Sequence, residues 1–172
     1  MKKYFIQFCL AILFLVLTNV VTAQWNPDPT VNNAIVNGAN LESLQDVCSD
    51  GAGGSIFIYY VSISPNFVLR AQRINAAGNK LWGANGVEIV ITQNIFNAVI
   101  KPVSGGGAIV SFVAQIAPAI NLGVFAQRLD ANGVKLWNAG NPVIVCNASG
   151  GQLNVRLAVF PDASSVMTWE DQ

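Results

Sequence analysis

The chain has 172 residues, of which 52% are hydrophobic and only 10% charged, and its nine basic and nine acidic side chains cancel. Ordinary soluble domains carry about 25% charged residues, so uncharged polar side chains must cover much of this surface. The absence of histidine excludes Ser-His-Asp and Cys-His catalysis, and the absence of a basic patch indicates no nucleic-acid partner.

Residues 1–23 are predicted to be a secretory signal peptide. They begin with Met1 and two lysines, continue with the apolar run 5–21 and end in small residues at Ala23. The alternative is an uncleaved membrane anchor, since the run approaches the ~18 apolar residues that a spanning helix needs. Polar Thr18 near the end of the run favours cleavage after Ala23. We therefore expect a secreted or cell-surface protein that meets the membrane only through the signal segment before cleavage.

A twelve-residue motif organises the rest of the chain. The stretch from Ala71 to Trp82 returns 55 positions later, from Ala126 to Trp137, with eight of the twelve residues identical. Trp25, which lies 57 residues before Trp82, marks a diverged copy. A repeat of this length is typical of stacked or radial architectures. The structural repeat positions are Gln72, Arg73, Gly78, Trp82, Gln127, Arg128, Asp130, Gly133 and Trp137.

Each repeat is predicted to contain four short strands. An apolar segment precedes a glycine-rich turn, and a strand of β-branched and aromatic residues follows that turn. The Gln-Arg strand and the segment after the tryptophan complete the unit. Tyr59, Phe112 and Trp169 occupy one position of the second strand. Four strands in about 55 residues are typical of a β-propeller blade, and a two-sheet sandwich is the alternative.

These patterns predict an all-β chain of propeller-like, four-stranded antiparallel blades after an N-terminal signal helix. Closed propellers need about four to eight blades and this chain holds about 2.7, so we expect an incomplete propeller whose remaining blades lie in a longer chain. We expect the stretch from Trp25 to Val36 to lie at an unpaired edge or to add loosely to the first blade, and exposed apolar faces to cause self-association. The predicted segments are 24–40 (opening strand), 41–92 (repeat 1), 93–147 (repeat 2) and 148–172 (start of repeat 3).

The turn that follows the Gln-Arg strand is interpreted as scaffold. Asn75 and Asp130 open a tight hairpin turn towards a Lys-Leu-Trp strand, with a side-chain oxygen bonded to the main chain and Gly78 or Gly133 supplying a positive φ. A calcium loop is the alternative, but Ca²⁺ needs six or more oxygens and a downstream carboxylate. We therefore expect no metal here.

The other repeated residues also point to structure. Gln72-Arg73 and Gln127-Arg128 have an alternative role as ligand-binding pairs, but their recurrence favours bonds to main-chain groups between sheets. Trp82 and Trp137 are predicted to be buried packing residues in equivalent environments, with ligand platforms as the alternative. We expect no catalytic, cofactor-binding or metal-binding residues in this chain.

Two cysteines remain after the leader, Cys48 and Cys146. They occupy different positions in their repeats, so a disulfide is the less favoured alternative even in an oxidising compartment. Asn147-Ala148-Ser149 matches a glycosylation acceptor, which is a weakly specific motif.

The Ala126-Gln127-Arg128, Asp130-x-x-Gly133 and Leu136-Trp137 motifs, joined to the Gly-Gly strand before them, resemble the propeller-like repeats of secreted bacterial proteins. Those proteins often end in a type IX secretion sorting domain, which residues 1–172 do not include. The resemblance covers nearly all of the mature chain, implies an extracellular N-terminal fragment, and implies no catalytic residues. Weaker likenesses to the tryptophan-docking repeats of quinoprotein propellers and to the Asp-box of sialidase-type propellers imply the fold only.

Two functions remain open from the sequence. The first is a secreted or cell-surface, non-catalytic module with a structural, adhesive or glycan- or protein-binding role. The second is a fragment of an extracellular propeller enzyme, a hydrolase or quinoprotein, whose catalytic residues lie outside this chain. A site should break the symmetry of the repeats, but the unrepeated charged residues show no convergent spacing; they are Glu42, Arg70, Glu88, Lys101 and Arg156.

Overall fold

The computed structural model describes Asp28, Thr30 and Val31 together with residues 34–116 and 121–172. The predicted signal segment, its predicted cleavage site and Trp25 lie outside the described residues. The chain divides after residue 32 into two compact units. In the first unit, the Asp28 carboxylate accepts hydrogen bonds from the main-chain N–H and the hydroxyl of Thr30, at 2.9 and 2.7 Å. All of the strands that the structure describes belong to the second unit.

The second unit consists of β-strands joined by turns, which confirms the all-β prediction. The one helical element among the described residues is a single 3₁₀ turn, Asn138–Gly140. The ten strands of the described chain are β1 (Glu42–Ser49), β2 (Ser55–Ile63), β3 (Asn66–Ile74), β4 (Val87–Thr92), β5 (Asn94–Val103), β6 (Gly107–Gln115), β7 (Gly123–Leu129), β8 (Val143–Cys146), β9 (Gln152–Val159) and β10 (Ser165–Asp171).

The described strands form three antiparallel sheets, none of which is closed. The first sheet has the order β1-β2-β3-β4, the second β5-β6-β7-β8, and the third contains β9 and β10. The register also repeats, since Ser55 pairs with Ile74 in the first sheet and Ala108 pairs with Leu129 in the second. The repeated sheets confirm the internal repeat predicted from the sequence.

The largest core lies between the first and second sheets. Ile58 and Leu69 of the first sheet pack against Phe112 and Phe125 of the second, and all four side chains are at most 4% exposed. The two phenylalanine rings are stacked, with centroids 5.9 Å apart. Burying one such side chain contributes about 1.5–3 kcal/mol, so this contact is a main source of stability.

A second layer of core lies between the second and third sheets. Val113 of β6 packs there with Val155 of β9, and Ile109 packs with Leu157. Because both of its faces are covered, β6 is buried at all but its last position, as expected for a strand without polar alternation. In β9, buried and exposed residues alternate from Asn154 to Leu157.

The three sheets face the same way. We call the side of a sheet that carries Tyr59, Phe112 or Trp169 its leading face, and the opposite side its trailing face. Phe112 packs against the first sheet and Trp169 against the second, while Tyr59 lies in a cluster with Ile35 and Val36. The position predicted from the sequence to be shared by these three aromatic residues is thus the same position in each sheet.

The predicted opening strand is not formed by the described residues of 24–40. Residues 34–40 carry no strand, and β1 begins at Glu42. Ile35 and Val36 are half-buried against the leading face of the first sheet, next to Phe57 and Tyr59. These two apolar side chains therefore pack against a sheet face, and their main chain does not form a strand.

The predicted Lys-Leu-Trp strand is also wrong. Lys80 makes a single bridge to Ile74, and Lys135 makes a single bridge to Leu129. Main-chain pairing stops after each bridge. The main-chain N–H of Trp82 bonds to the side chain of Gln72, and that of Trp137 bonds to the side chain of Gln127. The fourth strand of each complete sheet begins later, at Val87 and Val143.

Candidate functional site

Gln72 and Gln127 hold the tryptophan segments against their sheets. The Gln72 Oε1 accepts the main-chain N–H of Trp82 at 3.0 Å, and its Nε2 donates to the Gly83 carbonyl at 2.7 Å. The Gln127 Oε1 accepts the N–H of Trp137 at 2.9 Å. Both glutamines are at most 1% exposed. Their amides satisfy main-chain groups that burial would otherwise leave unpaired.

The turns after β3 and β7 are closed by their own side chains. Oδ1 accepts the main-chain N–H groups two and four residues later, at 3.0 and 2.9 Å for Asn75 and at 2.8 Å for both bonds of Asp130. Gly78 and Gly133 have φ values of 71° and 82°. The described part of the chain holds no group of three or more side chains that could ligate a metal.

A clasp joins the first sheet to the second. Two donors on the trailing face of the first sheet, the Arg73 Nη1 and the Trp82 Nε1, each lie 3.0 Å from the carbonyl oxygen of Ala131. Ala131 belongs to the turn after β7, so the acceptor is a main-chain group of the neighbouring sheet. We call this three-residue contact the Ala131 clasp.

Asp50 fixes the arginine of the clasp. Its Oδ2 accepts bonds from the Arg73 Nε and Nη2 at 3.1 and 2.9 Å, and its side chain is 1% exposed. Burial alone would raise the pKa of the Asp50 carboxyl, but bonds from the Ala52 N–H, the Arg73 guanidinium and the Gly54 N–H hold this pKa below its usual value. Arg73 is thereby held as a charged, oriented donor.

Two glycines leave room for the clasp. A Cβ on Gly133 would lie 2.7 Å from the Val87 Cγ2 and 3.0 Å from the Trp82 ring. A Cβ on Gly106 would lie 2.9 Å from the Arg73 Nη1. Gly133 therefore serves both the positive φ of its own turn and the close approach of the Trp82 indole.

The corresponding residues of the second sheet do not form a clasp with the described residues. Trp82 is 5% exposed, whereas Trp137 is only half-buried and its indole N–H bonds to no described residue. The Arg128 Nε is buried and has no hydrogen-bond partner in the described chain. The prediction that Trp82 and Trp137 occupy equivalent environments is wrong. The reason is that the described third sheet contains no turn in the place that Ala131 occupies in the second.

The aspartate is a second difference between the repeats. Asp50 and Val103 both lie four residues before the glycine that ends the first turn, Gly54 or Gly107, so the second sheet has an apolar residue where the first has a carboxylate. The sequence predicted only a turn at Asp50. The difference between Asp50 and Val103 could have indicated from the sequence that Asp50 does more than form a turn. The acceptor at Ala131 could not be predicted, because any residue supplies a main-chain carbonyl.

The unrepeated charged residues are mostly apart. Arg70 and Glu88 form an ion pair at 3.3 Å on the first sheet, with side chains that are 22% and 43% exposed. Such exposed pairs contribute about 0–1 kcal/mol. Glu42, Lys101 and Arg156 lie on β1, β5 and β9, one in each of the three sheets. They form no acid–base pair with one another.

Both cysteines are free thiols on separate sheets, so the alternative of a Cys48–Cys146 disulfide is not found. Burial, followed by the nearby Asp46 carboxylate, raises the pKa of the Cys48 thiol to about 12. A thiolate is the reactive form of cysteine, so Cys48 is chemically quiet near neutral pH.

A groove of about 750 Å³ runs between β4 of the first sheet and the β7–β8 region of the second. Its walls are mainly apolar, with Ile89 and Phe125 among them. Lys135, Asn141 and Asn147 also line the groove, and no described residue bonds to their side-chain polar groups. An apolar cleft with a few polar groups is the usual composition of a ligand site.

No helix in the described residues is long and apolar enough to cross a membrane. Comparison of the chain with models of known families, with curated proteins and with solved structures finds no significant match.

Proposed function

We propose that this chain is a secreted or cell-surface, non-catalytic module of propeller-like repeats that binds an extracellular glycan or protein. The repeated polar side chains support a scaffold role, because Gln72, Gln127, Asn75 and Asp130 each bond the main chain of their own sheet. They are thereby engaged in holding the repeats together.

The propeller-like arrangement is supported by how the sheets stack. Two four-stranded meanders follow one another with the same strand order, and the leading face of each later sheet packs on the trailing face of the one before it. Radial repetition of four-stranded antiparallel sheets is the design of a propeller. A sandwich of two sheets does not require three sheets that all face the same way.

The groove between β4 and β8 carries the proposed binding role. The Lys135 ammonium and the Asn141 and Asn147 amides offer donors to hydroxyl or carbonyl oxygens, and the amides also offer acceptors. Ile91 and Ile144 also line the groove and are 51% and 60% exposed, so they offer an apolar surface for the C–H face of a sugar or for an aliphatic side chain. This combination fits a neutral, hydroxyl-rich glycan better than an ionic ligand, because the groove contains both Lys135 and Glu88.

The test is a glycan array probed with the chain from Gln24 to Gln172. We expect binding that Lys135→Ala combined with Asn141→Ala weakens by at least about tenfold. The matched control is Lys80→Ala, since Lys80 is the repeat counterpart of Lys135 but does not line this groove. Failure to bind any glycan or extracellular protein, or equal binding by the groove variant, would contradict the proposed role.

Export is tested separately by the mass of the product. We expect a signal peptidase product that begins at Gln24 when the chain is expressed with its own leader in a secreting host. A mature protein that still contains residues 5–21 would contradict the proposed localisation and would leave the fold untouched.

A further inference from the structure

The trailing face of the second sheet carries hydrogen-bond donors that have no acceptor among the described residues. Arg128 and Trp137 stand where Arg73 and Trp82 stand in the first sheet, 55 residues earlier. The earlier pair converges on one main-chain carbonyl, that of Ala131. The buried Arg128 Nε has no such partner in the described chain, and leaving a buried charged donor unpaired is costly. A hydrogen-bond acceptor is therefore expected next to Arg128 and Trp137.

The third sheet has a strand edge that is unpaired among the described residues. In the described chain β10 pairs only with β9, whereas its counterparts β2 and β6 each lie between two strands. Trp137 and Met167 of β10 pack against the same buried cluster, which includes Leu157 of β9, so the Trp137 side chain lies near β10. The unpaired main-chain groups of β10 can accept one more strand.

We propose that β10, Arg128 and Trp137 form a docking surface for a β-hairpin of the β7–β8 kind, carried on the same polypeptide. The first strand of the hairpin pairs with the free edge of β10. A main-chain carbonyl of its turn, in the place that Ala131 has in the second sheet, accepts bonds from Arg128 and Trp137. This inference rests on the proposed propeller-like stacking. The hairpin contact repeats, between the second and third sheets, the interface that the Ala131 clasp forms between the first and second.

The source of the hairpin follows from the connections in the complete sheets. In both of them the third strand is the next segment of the chain after the second strand, β3 after β2 and β7 after β6. Gln172 has the place in the third sheet that Gln115 has in the second, because Trp169 corresponds to Phe112. A hairpin attached directly after Gln172 therefore reaches β10 as β7 reaches β6.

The experiment extends the full mature chain after Gln172 with a copy of residues 116–147. Hydrogen exchange of the β10 amides and of the Trp137 indole should slow by at least roughly tenfold. The control carries the same added residues in scrambled order and should leave these rates unchanged. If β10 exchanges at the same rate in the copied and scrambled extensions, the proposal is overturned.

A second readout tests the donors. Arg128→Lys combined with Trp137→Phe should lower the melting temperature by about 5 °C more in the extended chain than in the unextended one. Equal shifts in both chains would show that these residues contact no hairpin. If the fused chain precipitates, the peptide 116–147 added to the unextended chain gives the same exchange readout, and no protection of β10 then overturns the proposal.

The hydrogen-exchange and melting-temperature experiments are independent of the glycan array. Protection of β10 without glycan binding would leave the docking surface standing and remove the proposed ligand role. A second copy of the chain that pairs with β10 and is not displaced by the extension would exclude the hairpin.

Discussion

Among single residues, Gly133 allows the energetic cost of a positive φ to be separated from the cost of a steric contact. Gly133→Ala must adopt a φ of 82° and place its Cβ against Val87 and Trp82. Gly105→Ala is the matched control, because Gly105 has a φ of 84° with nothing within 4 Å of the added Cβ. Both variants carry the cost of a left-handed residue, about 1–2 kcal/mol, and Gly133→Ala adds about 1–3 kcal/mol of overpacking.

Urea unfolding of the two glycine variants measures this difference. We expect Gly133→Ala to lose clearly more free energy of unfolding than Gly105→Ala. Equal losses would mean that the Trp82 indole does not pack against the turn after β7.

Asp50 predicts a pH dependence. Its carboxyl has a folded-state pKa below its ordinary value, so its stabilising contribution is present above the unfolded pKa of about 3.9 and is lost as the pH falls through the folded value. Asp50→Asn leaves Arg73 buried without its counter-charge, which costs stability near neutral pH. We expect the stability gap between the wild type and Asp50→Asn to shrink between about pH 4 and pH 2.

The measurement is the urea midpoint of both chains across this pH range. Asp162→Asn serves as the control, because its carboxyl also has a lowered pKa through bonds from Ser164 but lies exposed at a turn. A gap for Asp50→Asn that stays constant down to pH 2 would contradict the ion pair with Arg73.

At the scale of elements, the turn after β7 tests whether the repeated Asx residue is scaffold. Asp130→Ala removes an oxygen that accepts two main-chain N–H groups and should cost about 1–3 kcal/mol of unfolding free energy. Asp130→Asn should be close to neutral, because Asn75 makes the same two bonds in the first sheet.

Calcium titration during the same unfolding measurements separates the turn from a metal loop. We expect Ca²⁺ and a chelator to leave the midpoint unchanged, since the turn is closed by its own N–H groups. A calcium-dependent rise in stability that disappears in Asp130→Asn would show a metal site.

The strands were predictable from the sequence where their side chains decide the structure. The β-branched and aromatic runs of β2 and β6 must be buried on both faces, and their spacing repeats. The apolar pair Ile35 and Val36 has the same composition, but whether such a pair joins a sheet edge or covers a face depends on distant partners. The tryptophan segments also do not form the predicted strands. The side chains of Gln72 and Gln127 bond to the main-chain N–H groups of Trp82 and Trp137, which strand pairing would need.

The clasp was predictable only in part. The recurrence of the arginine and the tryptophan indicated contacts between sheets, and Arg73 and Trp82 make them. The acceptor is a backbone carbonyl at Ala131, which any residue would supply. The difference between Trp82 and Trp137 depends on what stands beyond each sheet, which the local sequence does not encode.

At the scale of the whole molecule, the leading face of the first sheet predicts self-association. Leu44 and Val47 are 65% and 52% exposed there, beside a cavity of about 330 Å³ that is lined by Phe57 and Ile74. The equivalent faces of the other two sheets are covered by a neighbouring sheet. An exposed apolar face of this kind favours association.

We therefore expect the chain from Gln24 to Gln172 to elute as oligomers in size-exclusion chromatography. Leu44→Lys combined with Val47→Lys should shift it towards the monomer, whereas Leu136→Lys, at a residue that is 49% exposed in the segment between β7 and β8, should not. A wild-type chain that runs as a cooperatively melting monomer would contradict the prediction and favour a compact sandwich.

The first and second sheets are joined by Arg73 and Trp82, which both bond to the Ala131 carbonyl, whereas the corresponding Arg128 and Trp137 have no such acceptor among the described residues. The most direct measurement is hydrogen exchange of the tryptophan indole N–H groups by NMR, with signals assigned from single Trp→Phe variants. The Trp82 indole, bonded to Ala131, should exchange at least roughly tenfold more slowly than the Trp137 indole. Equal exchange rates for the two indoles would contradict the bond between the Trp82 indole and Ala131.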